Sequence, residues 1–279
     1  MEEKKKIRYK FTNALMFAIV MRDEELCTGL LQRIIPERKI RQVRFPETPL
    51  VNLKYLETEK TLIPGIRAKS VRLDVLFEDS DVWYIIEMQV QDTRELPKRS
   101  RYYHASLDTY ILQQGQHFSK LKPCYVIFIC LFDLFGRNEP MYQFQMIDEK
   151  NHLLLEDEQY TLILNAECPL ENCPAELQTF YAYLKDGTVA DDDVLIQKIH
   201  QQVEQANQIE EVQNLMTLQE EMDMQKEREE TLKAQLAEAE AARNEAEAAR
   251  HEMEAELKKL RKQLAEAEAR AGKAAQKDR

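Results

Sequence analysis

Residues 71–90 of this 279-residue chain read V-R-L-D-V-L-F-E-D-S-D-V-W-Y-I-I-E-M-Q-V, and this stretch decides the fold. Two runs rich in Val, Ile, Leu and aromatic residues flank the turn-forming residues 78–81, a pattern that predicts a β-hairpin. If residues 78–81 form the loop, Phe77 pairs with Val82. We therefore expect the fold to be organised around a two-stranded ribbon.

The predicted hairpin brings acidic side chains together. In this register Asp74 lies opposite Ile85 and one diagonal step from Glu87. Side chains alternate along a strand, so Asp74, Glu87 and Gln89 are expected on one face. Two acids and an amide among apolar strands cost free energy unless they form hydrogen bonds or bind a ligand. A divalent metal ion is the predicted occupant.

The formal charge of −11 is spread unevenly along the chain. Residues 1–72 carry a net charge of +7, residues 73–200 a net −12 and residues 201–279 a net −6. An acidic protein still binds nucleic acid where it has a local basic surface, and the N-terminal segment is the candidate for one. On charge alone, a solvated basic arm explains this segment equally well.

Cysteine usage and hydropathy limit the class of protein. The five cysteines show no C-x-x-C spacing and no clustered histidines accompany them, which disfavours a zinc site and fits reduced thiols in a cytoplasm. The apolar residues 14–21 follow a lysine run, as in a signal peptide, but charged residues come next where a cleavage site would lie, so we interpret them as a core helix. No apolar run reaches the ~20 residues of a membrane span. We expect a cytoplasmic protein with no membrane association.

Periodicity and punctuation predict an α-β-β-β-α-β core. Outside the hairpin, its expected elements are a helix at residues 11–34 with Asn13 as N-cap, a strand at 50–56, a helix from Pro97 to residue 114 ended by Gly115, and a strand at 124–132. The last of these runs is continuously apolar, which is typical of a strand buried on both faces and paired in parallel after a crossover helix.

A second, weaker set of elements follows this core. Strands are expected at residues 142–147 and 160–164, and helices at 175–184 and from 194 onward. These features divide the chain into a core at 1–135, an extension of the same domain at 136–195 and a charged helical tail at 196–279.

Heptads run through the tail from residue 215 to residue 271. Leucine-rich ends flank a centre with Ala at the d positions and Arg at the a positions. Sustained heptads predict a coiled coil and hence a homo-oligomer. The centre is also consistent with a solitary charged helix held by Glu–Arg pairs three and four residues apart.

Three segments carry a resemblance to a known family. R-L-D-V-L (72–76), I-I-E-M-Q (85–89) and R-S-R-Y-Y-H-A-S-L-D-T-Y-I-L-Q-Q-G (99–115) resemble the PD-(D/E)XK nuclease family transposases, which are akin to the recombination-promoting nucleases of bacteria. The resemblance covers residues 10–135 well and extends loosely to 195. It implies an α/β, restriction-endonuclease-like fold and a nuclease that uses Mg²⁺, with Mn²⁺ as a substitute.

The resemblance also implies roles for residues of the hairpin. Asp74 and Glu87 match the Mg²⁺ ligands, and the Met88 carbonyl is a third candidate. Gln89 stands where the superfamily has a lysine. An amide orients water but supplies neither a base near neutral pH nor a positive charge, although the family is similar in carrying Glu-x-Gln.

The missing cation has two candidates on the strand before the acids, Lys69 and Arg72. Alternation places Arg72 on the face of Asp74, where it would pair with Glu87, which favours Arg72 over Lys69. A simple salt bridge with Glu87 explains Arg72 better than a catalytic role does.

Residues on the two predicted helices are further candidates. Arg99 and Tyr103 are expected to contact phosphate or to shape the site, with packing as the alternative. Glu24 and Glu25 offer a further acid, although the interpretation as ordinary surface acids is favoured. His104 and His117 receive no role.

Two functions remain open at this point. The first is a Mg²⁺-dependent DNA endonuclease of low sequence specificity that acts in recombination or on mobile elements, since no separate helix-turn-helix or zinc finger is visible. The second is a degenerate nuclease fold that binds DNA or protein without cleavage and assembles through its coiled coil.

Overall fold

A computed structural model of the chain describes residues 8–41, 43–44, 75–79, 81–112 and 114–277. The predicted strand at 50–56 lies outside the described residues. So do three residues assigned to the site from sequence, namely Lys69, Arg72 and Asp74.

A five-stranded mixed sheet forms the centre of the described fold, in the order β1-β2-β3-β5-β4. Its strands are β1 (Val75–Asp79), β2 (Val82–Gln89), β3 (Cys124–Cys130), β4 (Met141–Phe144) and β5 (Gln159–Asn165). The pairs β2–β3 and β3–β5 are parallel, whereas β1–β2 and β4–β5 are antiparallel. Every residue of β3 is buried, which confirms the strand predicted from its continuous apolar run.

The hairpin has a tighter turn than the sequence predicts. Phe77 pairs with Tyr84 and Asp79 with Val82, so the predicted pairing of Phe77 with Val82 is wrong. Only two residues separate Asp79 from Val82, because a two-residue turn matches the twist of the flanking strands better than a longer loop. The register differs by two positions, which leaves each described side chain of the ribbon on its predicted face.

The predicted helix at 11–34 is two helices, α1 (Ala14–Val20) and α2 (Glu24–Ile34). Asn13 caps α1 as expected, since its Oδ1 accepts hydrogen bonds from the amides of Leu15 and Met16 at 2.9 and 3.1 Å. Asp23 caps α2 in the same way. The break arises because an Asp side chain that accepts amide hydrogen bonds competes with helix continuation.

Four further α-helices follow in the described part of the chain. They are α3 (Leu96–Ile111), α4 (Ala175–Asp186), α5 (Val194–Ala206) and α6 (Glu210–Lys277). Pro97 lies in the first turn of α3, as predicted, but the helix ends before the predicted Gly115. Gly187 ends α4 with a φ of 82°, a left-handed conformation that glycine adopts without strain.

The two faces of the sheet are covered by different elements. Helices α1, α2, α4 and α5 belong to the large apolar core on one face, and α3 covers the other face. Contacts divide the chain into two compact units, Met1–Met216 and Thr217–Arg279. In the part of the chain that the structure describes, no helix combines the length and apolarity needed to cross a membrane.

Candidate metal centre at Glu87

Glu87 is a buried acid near the carboxyl end of β2. Its side chain lies on the α3 face of the sheet, on the same side as Ile85, and the residue is 1% exposed. Burial of a carboxylate among aliphatic and aromatic side chains alone costs several kcal/mol of free energy, so this position requires a partner of opposite charge.

Arg99 of α3 provides that partner. Its Nη2 lies 2.5 Å from Oε2 of Glu87. The Arg99 side chain is 30% exposed, so the ion pair lies between the core and the surface. The sequence predicted Arg99 as a phosphate-binding or site-shaping residue, and the structure brings it into contact with the predicted metal ligand Glu87.

Gln89 completes a triangle with these two side chains. Its Oε1 accepts a hydrogen bond from Arg99 Nη1 at 2.9 Å, and its Nε2 donates to Glu87 Oε2 at 3.2 Å. Arginine only donates and a carboxylate only accepts, so this pair of contacts fixes which end of the amide is oxygen. Gln89 therefore presents its NH₂ group toward the carboxylate and acts as a donor.

Tyr103 holds Arg99 from the next turn of α3. Its hydroxyl accepts a hydrogen bond from Arg99 Nη2 at 2.9 Å, and its ring stacks on Phe128 with centroids 6.1 Å apart. Burial raises the pKa of Tyr103 well above its ordinary value and the charge of Glu87 adds to this, while Arg99 offsets it only in part. Tyr103 is therefore a neutral support near neutral pH.

The Met88 carbonyl points along the sheet toward the side of β1. The amide of Leu131 on β3 donates to the Gln89 carbonyl at 2.9 Å, and carbonyl directions alternate along a strand. The carbonyl of Met88 thus faces away from β3, while its side chain is buried in the core on the opposite face from Glu87.

The donor set near Glu87 fits a hard divalent cation. A carboxylate and a backbone carbonyl are the kinds of ligand that Mg²⁺ accepts. Among the described residues, no three His, Cys, Asp or Glu side chains cluster as a metal site. The second predicted acid, Asp74, lies outside the described residues; it directly precedes Val75, which pairs with Ile86 next to Glu87.

Two acids suggested from the sequence lie elsewhere. Glu24 and Glu25 begin α2, whose apolar side belongs to the core on the face opposite Glu87. Glu25 pairs with Lys198 of α5 at 2.5 Å. The structure therefore does not bring these acids to Glu87.

A buried polar cluster lies on the same face as Glu87 and has no counterpart in the sequence analysis. His104 Nε2 lies 3.1 Å from Thr161 Oγ1, which is 2.5 Å from Ser100 Oγ. Burial lowers the pKa of His104 to about 4, against a smaller opposing effect of Asp157. The predicted absence of a role for the exposed His117 stays a prediction.

A group of cations lies around the start of α3, where the sequence indicated Arg99 and Arg101 but not Arg94 or Lys98. Arg94, Lys98 and Arg101 are all exposed and flank Arg99 in the sequence. Net charge along the chain predicts a basic surface in the N-terminal segment alone, because the charge summed over residues 73–200 conceals this local group. The spacing of these cations about the first turn of α3 was the available signal.

Comparison with known proteins assigns the chain to a family. A model of the PD-(D/E)XK nuclease family transposases matches residues 11–269. No curated protein and no solved structure matches the chain. The match spans most of the 279 residues and includes the hairpin, Arg99 and Tyr103. This chain belongs to the PD-(D/E)XK nuclease family transposases.

Proposed function

We propose that this protein is a Mg²⁺-dependent DNA endonuclease that hydrolyses phosphodiester bonds with low sequence specificity in recombination or transposition, and that Mn²⁺ substitutes for Mg²⁺. The family implies nuclease activity related to transposition and a DNA substrate, and PD-(D/E)XK nucleases generally use divalent metal ions. The observation that carries the proposal is the carboxylate of Glu87, which is 1% exposed and held by Arg99 and Gln89.

Three groups are proposed to hold the ion. They are the carboxylates of Asp74 and Glu87 and the carbonyl of Met88. The β1–β2 ladder supports this set. Val75 and Ile86 pair directly, Asp74 precedes Val75 in the sequence, and Glu87 follows Ile86. When bound, Mg²⁺ lowers the pKa of a coordinated water and offsets charge on the phosphate.

Gln89 is proposed to orient the attacking water or a phosphate oxygen. Its amide oxygen is engaged by Arg99, so the NH₂ group is the end available for this contact in addition to its bond with Glu87. Lys69 and Arg72 remain proposed as cations beside the site, and neither belongs to the described residues. Tyr103 is proposed to act through Arg99, which it holds at 2.9 Å.

The cations around the start of α3 are proposed to contact DNA. Lys98 and Arg101 are exposed and flank Arg99 in the sequence, and Arg94 is exposed and paired with Asp92. Contacts from such side chains bind the phosphate backbone irrespective of base sequence. Because the chain as a whole is acidic at −11, DNA affinity should depend on this local group and fall steeply with salt.

Plasmid cleavage tests the proposal. Supercoiled DNA is incubated with Mg²⁺ or Mn²⁺ and wild type, Asp74→Ala, Glu87→Ala or Glu149→Ala. Glu149 is an exposed acid between β4 and β5 and serves as the matched control. We expect both site variants to lose at least ~10²-fold in rate, with folding intact by circular dichroism, and the control to cleave normally.

Two outcomes would overturn the proposal. Equal cleavage by all four proteins would mean that the activity does not come from this site. No cleavage by wild type with either metal would favour the second function, a fold that binds DNA or protein without cutting. The neutral Gln89 at the lysine position and the direct contact of Arg99 with Glu87 are the observations that favour it.

A further inference from the structure

We infer that Arg99 of α3 supplies the positive charge that Gln89 lacks, so that one function of a catalytic lysine is divided between two residues on different elements. The inference rests on the proposed function, because it concerns the same site. It makes Arg99 a positioning residue that acts through Gln89 and Glu87.

The contacts assign the charge to this arginine. Arg99 donates to Gln89 Oε1 at 2.9 Å and to Glu87 Oε2 at 2.5 Å. A guanidinium stays protonated at any pH at which the protein folds, and its planar fork binds two acceptors at once. The pair Arg99–Gln89 therefore combines a permanent cation with a directed N–H donor, which are the two properties that a lysine ammonium offers in one group.

The guanidinium is held in place from two sides. Tyr103 accepts from Arg99 Nη2, and the guanidinium carbon lies 5.6 Å from the Tyr103 ring centroid and 5.9 Å from that of Phe128. Cation–π contacts and a hydrogen bond to a rigid ring limit the motion of a long side chain. Arg99 is thus built into the site before any ligand arrives.

The position of this charge has a consequence for metal binding. A cation 2.5 Å from Glu87 Oε2 reduces the negative charge that the carboxylate offers to a metal ion. Arg99 and Gln89 both donate to Oε2 of Glu87. Loss of the Arg99 charge should therefore strengthen metal binding while it weakens cleavage. A purely structural residue would weaken both.

Cleavage by four proteins tests the inference. They are wild type, Arg99→Gln, Arg99→Lys and the double variant Arg99→Gln with Gln89→Lys. Arg137→Gln, at an exposed arginine in the loop after β3, is the control and should cleave like wild type. We expect Arg99→Gln to lose about 10²-fold in rate, Arg99→Lys to keep part of the rate, and the double variant to regain at least a tenth of it.

Binding of Mn²⁺, measured by calorimetry without DNA, supplies the second readout. Arg99→Gln should bind Mn²⁺ more tightly than wild type by roughly three- to tenfold, because a neighbouring positive charge is removed. Glu87→Ala should lose this binding. Thermal unfolding of each variant identifies any that fail to fold.

The outcomes separate this inference from the proposed function. The division of roles is wrong, while the nuclease proposal stands, if wild type and Arg99→Gln cleave equally well. The same conclusion follows if Arg99→Gln loses both Mn²⁺ affinity and activity and the double variant regains no cleavage. If Arg99→Gln does not fold, the double variant decides, and its failure to cleave overturns the inference. If wild type does not cleave, both are wrong.

Discussion

The two faces of the central sheet are built on different chemistry. Tyr84, Ile86 and Met88 of β2 point into a core that four helices close, and this core is apolar almost throughout. On the other face, alternate residues of the same strand belong to a smaller core with α3, and the series that begins with Trp83 and Ile85 ends in a buried acid. One strand therefore directs apolar side chains to the large core on one face and a buried, ion-paired acid to the other.

Buried polar groups follow this division. Among the described residues, the buried polar or charged side chains are Glu87, Ser100, His104, Ser106, Asn165 and Asp193. The first four of these lie on β2 or α3. A polar group in a dry interior costs free energy that a purely apolar replacement would avoid. Such a concentration on one face is consistent with a site retained for function at some loss of stability.

The largest effect is expected on the apolar face. Phe180 of α4 is fully buried and packs edge-on against Phe11 with centroids 6.4 Å apart. Phe180→Ala should lower the free energy of unfolding by about 3–5 kcal/mol, because a large cavity remains where the ring was. Urea denaturation followed by circular dichroism measures it. Phe118, which is 79% exposed, is the matched control, and an equal loss in Phe118→Ala would remove the contrast between core and surface.

A smaller, pH-dependent effect is expected on the polar face. Burial lowers the pKa of His104 to about 4, so the unfolded chain binds a proton at higher pH than the folded one. The stability that depends on neutral His104 is therefore complete above about pH 6.5 and is lost as the pH falls toward 4, by at most about 3 kcal/mol. Unfolding free energies at pH 7 and pH 5 measure this slope.

His104→Leu supplies the comparison for that measurement. The variant removes the titrating group, so its stability should change less between pH 7 and pH 5 than that of wild type. His117→Leu, at an exposed histidine, should keep the wild-type slope. Identical slopes in wild type and His104→Leu would contradict a neutral, buried His104.

Elements with a strong local pattern were predictable from the sequence. The continuous apolar run of β3 and the N-cap at Asn13 each depend on a few neighbouring residues, and the structure contains both. Two predictions were wrong, the register of the hairpin and the single helix at residues 11–34, and in each of these segments the sequence allows more than one local structure. The loop of the hairpin closes with two residues because several acidic and small residues all tolerate a turn, and Asp23 offers a cap in the middle of an apolar helical stripe.

The site was predictable in part. Glu87 and Gln89 follow from strand alternation, which is a local rule. The contact between Gln89 and Arg99 joins residues ten apart on different elements, and no period in the sequence relates a strand to the helix that packs on it. The cluster of His104 with Thr161 is harder still, since it spans 57 residues and depends on the parallel crossover that places β5 beside β3.

The smallest effect on stability is expected from the tail. Met216 is 1% exposed and belongs to the large core, so a truncation that removes residues 217–279 leaves the first compact unit intact. The unfolding free energy of this unit should change by less than about 0.5 kcal/mol.

If the heptads form a coiled coil, the same truncation should convert an oligomer into a monomer that nicks supercoiled DNA but linearises it poorly. Light scattering after gel filtration and plasmid cleavage measure the two effects.

Point variants test whether the heptads cause this change. Leu232 and Leu236 occupy d and a positions of α6 and are 66% and 60% exposed in the single chain. Apolar side chains in this pattern are expected to be covered by a second helix. Leu232→Glu with Leu236→Glu should therefore dissociate the full-length protein, whereas Ala234→Glu, at the outward f position, should not. An unchanged oligomeric state after truncation would favour the solitary helix. In that case i,i+4 pairs such as Arg243–Glu247 stabilise α6 without a second helix.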